Sequence, residues 1–147
     1  MSEEKCSAVK AYLQKIRLYD AHINNKLAEK RRLFEMATSI TATLRDDVVS
    51  GTGAKDRVGD IASKLADIEM EIDRAVDAFV DKKREVQEHI DKLQNPDHVK
   101  LLYKRYVEYL SFEQIACDLN FSYRHTTRLH GRALQAIERV LVEKGVL

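Results

Sequence analysis

The chain has 147 residues, 33% of them charged and 44% apolar, with one proline, five glycines and a formal net charge of +1 at pH 7. So few helix breakers and so many charges suit a helical globular protein of one ordinary domain or two small ones. No stretch approaches the roughly 18 apolar residues needed to span a bilayer, and the balanced global charge does not by itself announce a nucleic-acid partner.

The N-terminal segment MSEEKCSAVKAYLQK is polar and lacks the apolar core of a signal peptide. Its Cys6 and the distant Cys117 match no metal spacing, so free thiols and a cytoplasmic location are expected. Val9, Leu13, Ile16, Ile23, Leu27, Phe34, Ala37 and Leu44 share one seam, interrupted at Asp20, Lys30 and Thr41. Leu33 and Ile40 widen the apolar face. The spacing predicts one helix from about residue 5 to 48. SGTGAKDRVG, Ser50 to Gly59, is the natural reversal point of a helical hairpin. Gly51, Gly53 and Lys55 lack the spacing of a phosphate-binding loop, and no strand pattern precedes them.

The next helix is predicted from about residue 57 to 94, roughly 55 Å at 1.5 Å per residue. Val58, Ile61, Leu65, Ile68, Ile72, Ala75, Phe79, Val86 and Leu93 form a heptad seam, broken at Lys82 and His89. A metal-lined bundle would need inward carboxylates and a Glu-x-x-His pair, whereas Glu85 and His89 are four apart. Residues 1–94 therefore read as an antiparallel, coiled-coil-like hairpin. A lone two-helix hairpin buries little, so pairing into a homodimer or higher homo-oligomer is expected.

Asn95-Pro96-Asp97 marks the start of a second module, residues 95–147: a capping residue, a proline suited to the first helical position, and an acid at the positive helix start. This module holds 8 Lys and Arg against 6 Asp and Glu, whereas residues 1–95 hold 17 against 18. Its first helix, about 96–109, turns Val99, Leu102, Tyr103, Tyr106 and Leu110 to one face. Ser111 with Gln114 reads as a capping box opening a short helix, 112–119. Asn120 stands where a tight turn needs a left-handed residue, and Ser122 caps the next helix. Small Ala116 permits two helices to cross closely. Together these elements form a helix-turn-helix. Thr126, Leu129, Ala133, Leu134 and Ile137 line the inner face of the last helix, leaving Tyr123, Arg124, Thr127, Arg128 and Arg132 outward. Donor-rich side chains there suit the major groove, where Arg can bond guanine edges or reach phosphates. A solvated basic face is the alternative reading, and the turn grammar favours contact with double-stranded DNA.

LLYKRYVEYLSFEQIACDL, FS and RALQAI, within residues 101–137, resemble the fourth conserved region of bacterial sigma factors. The resemblance implies DNA-facing positions for Tyr123, Arg124, Thr127 and Arg128, with Gln114 near the DNA backbone. Asn120 replaces the usual glycine, Thr126 replaces a more apolar core residue, and Gly131 weakens its helix by about 1 kcal/mol relative to alanine. The other sigma-factor regions are missing. As a whole the chain resembles small sigma-region-4-like regulators of phages and prophages, which implies a role in phage transcription.

The expected function is that of a sequence-specific DNA-binding transcriptional regulator, dimerised by its hairpin so that two readers span half-sites about 34 Å apart or a multiple. The resemblance also permits a factor that binds RNA polymerase without reading DNA. A phage DNA-packaging recognition subunit is a third reading, which ring-like oligomers would favour. No cofactor is implied and no enzyme is expected: His22, His89 and His98 are scattered, His125 and His130 are five apart, and no catalytic motif is recognisable.

Overall fold

The computed structural model describes residues 3–46 and 52–147. The fold is all-α, with no strand among the described residues. The helices are α1 (Glu3–Leu13), α2 (Lys15–Asp46), α3 (Thr52–Asp91), α4 (Pro96–Leu102), α5 (Phe112–Leu119) and α6 (Tyr123–Glu143), with a π-helical turn at Tyr103–Val107 after α4. No helix among the described residues is long and apolar enough to cross a membrane.

The single helix expected over 5–48 is two, separated only at Gln14. The Gln14 amide still donates to Lys10 O at 2.8 Å, so the interruption is slight, and no glycine or proline marks it. The expected end at residue 48, and Ser50 and Gly51 of the reversal point, lie outside the described residues. The remainder of the expected connector, Thr52 to Gly59, is already helical. Gly53 and Gly59 each cost about 1 kcal/mol relative to alanine, which a 40-residue helix absorbs.

Two compact units emerge: Met1–Tyr19 with Phe79–Leu147, and Asp20–Ala78. In the second unit α2 and α3 run antiparallel, as the Lys26–Glu71 (3.0 Å) and Lys30–Glu69 (3.1 Å) ion pairs require. These pairs set register more than stability, because exposed ion pairs contribute at most about 1 kcal/mol. Ile23, Ile61 and Ile68 are buried between the helices; Leu33, Ala37, Ile40, Leu65, Ile72 and Ala75 are half-buried. Phe34, expected in the seam, is 64% exposed, and Leu27 is 42% exposed. A straight helix drifts about 20° per heptad from a 3.5-residue repeat, so Leu33 and Ile40 take the place that Phe34 leaves.

In the first unit one apolar core joins the two ends of the chain. Val9, Tyr12, Leu13 and Ile16 meet Val86 and Ile90 of α3, and the same cluster takes in Leu101, Leu102, Tyr106, Ile115, Leu129, Leu134, Ile137 and Leu141. Helices α1, α4 and α5 all pack on α6. The boundary expected at 94/95 is thus a break between helices, while the packing divides the chain elsewhere. A 2.6 Å hydrogen bond joins the Tyr12 hydroxyl to His89 Nδ1. Burial foremost holds the His89 pKa below that of ordinary histidine, so the ring stays neutral and suited to that bond.

Candidate nucleic-acid interface

Asn95 Oδ1 accepts from the Asp97 amide at 3.0 Å and Pro96 opens α4. The helix expected to run to about residue 109 changes register at Tyr103–Val107 and ends in a reversal. Tyr109 adopts φ 62° there. Arg105 fastens this reversal: Nη1 donates to Leu110 O at 3.0 Å, and its guanidinium lies 4.3 Å from the centre of the Phe112 ring. Lys104 pairs with Asp118 at 3.3 Å, tying the same turn to α5.

Ser111 caps α5 reciprocally. Its hydroxyl accepts from the Gln114 amide at 3.2 Å, and its own amide donates to Gln114 Oε1 at 2.9 Å. Asn120 ends α5 at φ 57°, ψ 39°, the left-handed conformation expected of it. The Phe121 amide then donates to Ala116 O at 2.9 Å. Ala116 is buried. Ser122 Oγ accepts from the His125 amide at 3.0 Å and starts α6.

Thr126 is fully buried and satisfied: its hydroxyl donates to Ser122 O at 2.9 Å. That local bond removes most of the cost of burying a hydroxyl. His130 is also buried. It bonds the Tyr106 hydroxyl at 2.7 Å through Nε2 and meets the Phe112 ring edge-on at 4.9 Å. Burial, then Lys10 and Arg105, lower its pKa to about 4. Burial raises Tyr106 to about 12. His130 is therefore a neutral packing residue, while His125 is exposed with its ring against Phe121 at 4.6 Å.

The expected reading residues come to the surface of one module. Tyr123 is 53% exposed; Arg124, Arg128 and Arg132 are exposed and Thr127 half-buried. At 100° per residue the three arginines span only about 80° of the helix circumference, opposite the buried Leu129, Ala133 and Ile137. Among the described residues none of the three arginines has an ion-pair partner. Their charges are thus available to an external anion. Two assigned side chains are partly engaged. The Thr127 hydroxyl donates to Arg124 O at 3.0 Å, leaving its methyl and oxygen lone pairs. The Gln114 oxygen holds the cap, leaving its NH₂ group as a donor. The sequence did not disclose Arg105, whose role arises only from the unforeseen turn; Arg139, basic in sequence but not placed among the expected DNA contacts, follows Arg132 by seven residues and lies exposed along the same side of α6.

Among the described residues no group of three or more His, Cys, Asp or Glu side chains could hold a metal ion. Cys6 and Cys117 are free thiols.

These features define an all-α protein with a capped helix-turn-helix whose second helix carries an unneutralised basic face. The chain belongs to the family described as "Protein of unknown function (DUF1492)", whose model matches residues 38–138. No curated protein and no solved structure matches it.

Proposed function

We propose that this protein is a sequence-specific DNA-binding transcriptional regulator that reads the major groove with the N-terminal half of α6. The observation that carries this reading is the set of exposed Tyr123, Arg124 and Arg128 with half-buried Thr127, placed just after a turn built from Ser111, Gln114, Asn120 and Ser122. Arginines on a fixed helix can make bidentate bonds to guanine edges, each worth about 1–3 kcal/mol of discrimination. Arg132 and the Gln114 amide group serve the DNA backbone. The resemblance to sigma region 4 supports the same orientation and a setting in phage or prophage transcription.

A single reader of this size has limited specificity. The reading therefore includes dimerisation through the helical pair of the second unit, supported by Leu27 and Phe34, which that unit leaves exposed. Selection of bound sites from random DNA by the full-length chain tests the proposal. Recovery of one motif, as an inverted repeat if the dimer is two-fold symmetric, is the expected result. Enrichment of no motif would sink the reading and turn attention to RNA polymerase as a direct partner.

A further inference from the structure

Beside the far end of α6, away from the reading residues, lies a cleft of about 440 Å³. Lys92, Gln94, Asn95, His98, Arg139 and Glu143 contribute to its walls. We propose that this cleft binds a phosphate-class oxyanion between Lys92 and Arg139, with His98 at its wall.

Three observations converge on it. First, the polar lining is brought together from separate parts of the chain: Lys92 and the neutral His98 from the segment that ends α3 and starts α4, and Arg139 from α6. Second, like charges crowd there. The neighbouring Lys144 holds the Lys92 ammonium below the usual lysine range, and burial foremost, with the charge of Arg132 adding to it, holds His98 below the ordinary histidine range. Third, among the described residues neither Lys92 nor Arg139 has a carboxylate within ion-pairing distance. Glu143 shares the wall, and Glu88 and Asp97 add to the local field, but the cations outnumber them. An oxyanion with several acceptor oxygens would offset the repulsion between Lys92 and Lys144 and accept from Arg139 at once. The cleft falls within the size range of small-molecule sites, about 300–1,000 Å³.

This site does not rest on the DNA reading. Arg139 is eleven residues beyond Arg128, roughly 16 Å along the helix, which exceeds the roughly 12 Å width of the major groove. The anion is therefore either a free phosphorylated small molecule or a backbone phosphate flanking the groove being read.

The test is isothermal titration of the full-length protein with inorganic phosphate and with pyrophosphate, against chloride at equal ionic strength. Variants Lys92→Gln, Arg139→Gln and Lys144→Gln are compared with the remote control Arg31→Gln, all checked for native helicity. Saturable binding of either phosphate, weakened about tenfold or more by Lys92→Gln or Arg139→Gln but not by Arg31→Gln, is expected. A second arm repeats duplex binding with and without phosphate. Competition, with weaker duplex binding by Arg139→Gln, identifies the anion as a DNA phosphate; no effect identifies a free ligand. Binding no stronger than that of chloride, or binding that survives all three cleft variants, overturns the proposal.

Discussion

Asn120 carries the turn of the motif on one backbone conformation. At φ 57° an L-residue with a Cβ is strained by roughly 1–2 kcal/mol, less for Asn, whose short polar side chain bonds locally. Asn120→Ala should destabilise the first unit by about 1 kcal/mol and Asn120→Gly should be neutral or better, read from urea unfolding by circular dichroism. Equal loss in both variants would show that the side chain, and not the conformation, is what matters. His130 offers a second residue-level test. Its folded pKa of about 4 lies below the ordinary 6.5, so the unfolded chain binds its proton first as pH falls. Its contribution is fully present above pH 6.5 and is lost between 6.5 and about 4, an upper estimate of ~3 kcal/mol for a shift of this size. His130→Gln keeps polar atoms near Tyr106 but cannot titrate there. Unfolding at pH 7 and pH 4.5 should show a smaller pH loss in the variant than in the wild type, and an unchanged difference would remove His130 from the account. The caps, Asn120 and the buried Thr126 were legible because each is a local matter of side chain and adjacent backbone. The burial of His130 was not, since it depends on Tyr106 and Phe112 arriving from another element.

At the scale of elements, α5 and the start of α6 were readable to the residue, because Ser111, Asn120 and Ser122 punctuate them. The π turn at Tyr103–Val107 was not: a shift to wider hydrogen bonding needs no glycine or proline, and YKRYV continues the apolar spacing of a plain helix. The helical pair of the second unit was foreseen in kind but not in rotation. Small angular drift per turn decides whether Leu33 or Phe34 faces the partner helix, and a seam read as strict heptads cannot resolve it. The exposed ring of Phe34 gives a clean probe of self-association, because changing it leaves the buried Ile23, Ile61 and Ile68 untouched. Phe34→Glu should shift the protein toward monomer in multi-angle light scattering at micromolar concentration, with helicity retained. An unchanged mass would place the contact between copies elsewhere, and a monomeric wild type would remove dimerisation from the proposal.

For the whole molecule, the unexpected feature is that the helix-turn-helix does not stand alone. Val9, Leu13 and Ile16 at one end of the chain, with Val86 and Ile90 of α3, share its core. Such long-range packing leaves no local trace, so a boundary at 94/95 looked sufficient from the caps alone. Each large apolar side chain so buried contributes about 1.5–3 kcal/mol. A fragment of residues 95–147 should therefore unfold with little cooperativity, whereas the intact chain unfolds sharply. Matching transitions for fragment and intact chain, followed by circular dichroism, would contradict the shared core. The basic face of α6 is thus held by the chain from both ends, and its contact with DNA is open to direct measurement. The most direct measurement is fluorescence anisotropy of the full-length protein on a selected duplex and on a scrambled one, from 50 to 200 mM salt, with Arg124→Ala and Arg128→Ala beside the wild type. The expected result is a preference for the selected duplex that persists as salt rises, and a loss of about 1–3 kcal/mol on that duplex for each variant, with a smaller change on the scrambled one. Equal wild-type affinity for the two duplexes, or full preference retained in both variants, would contradict it.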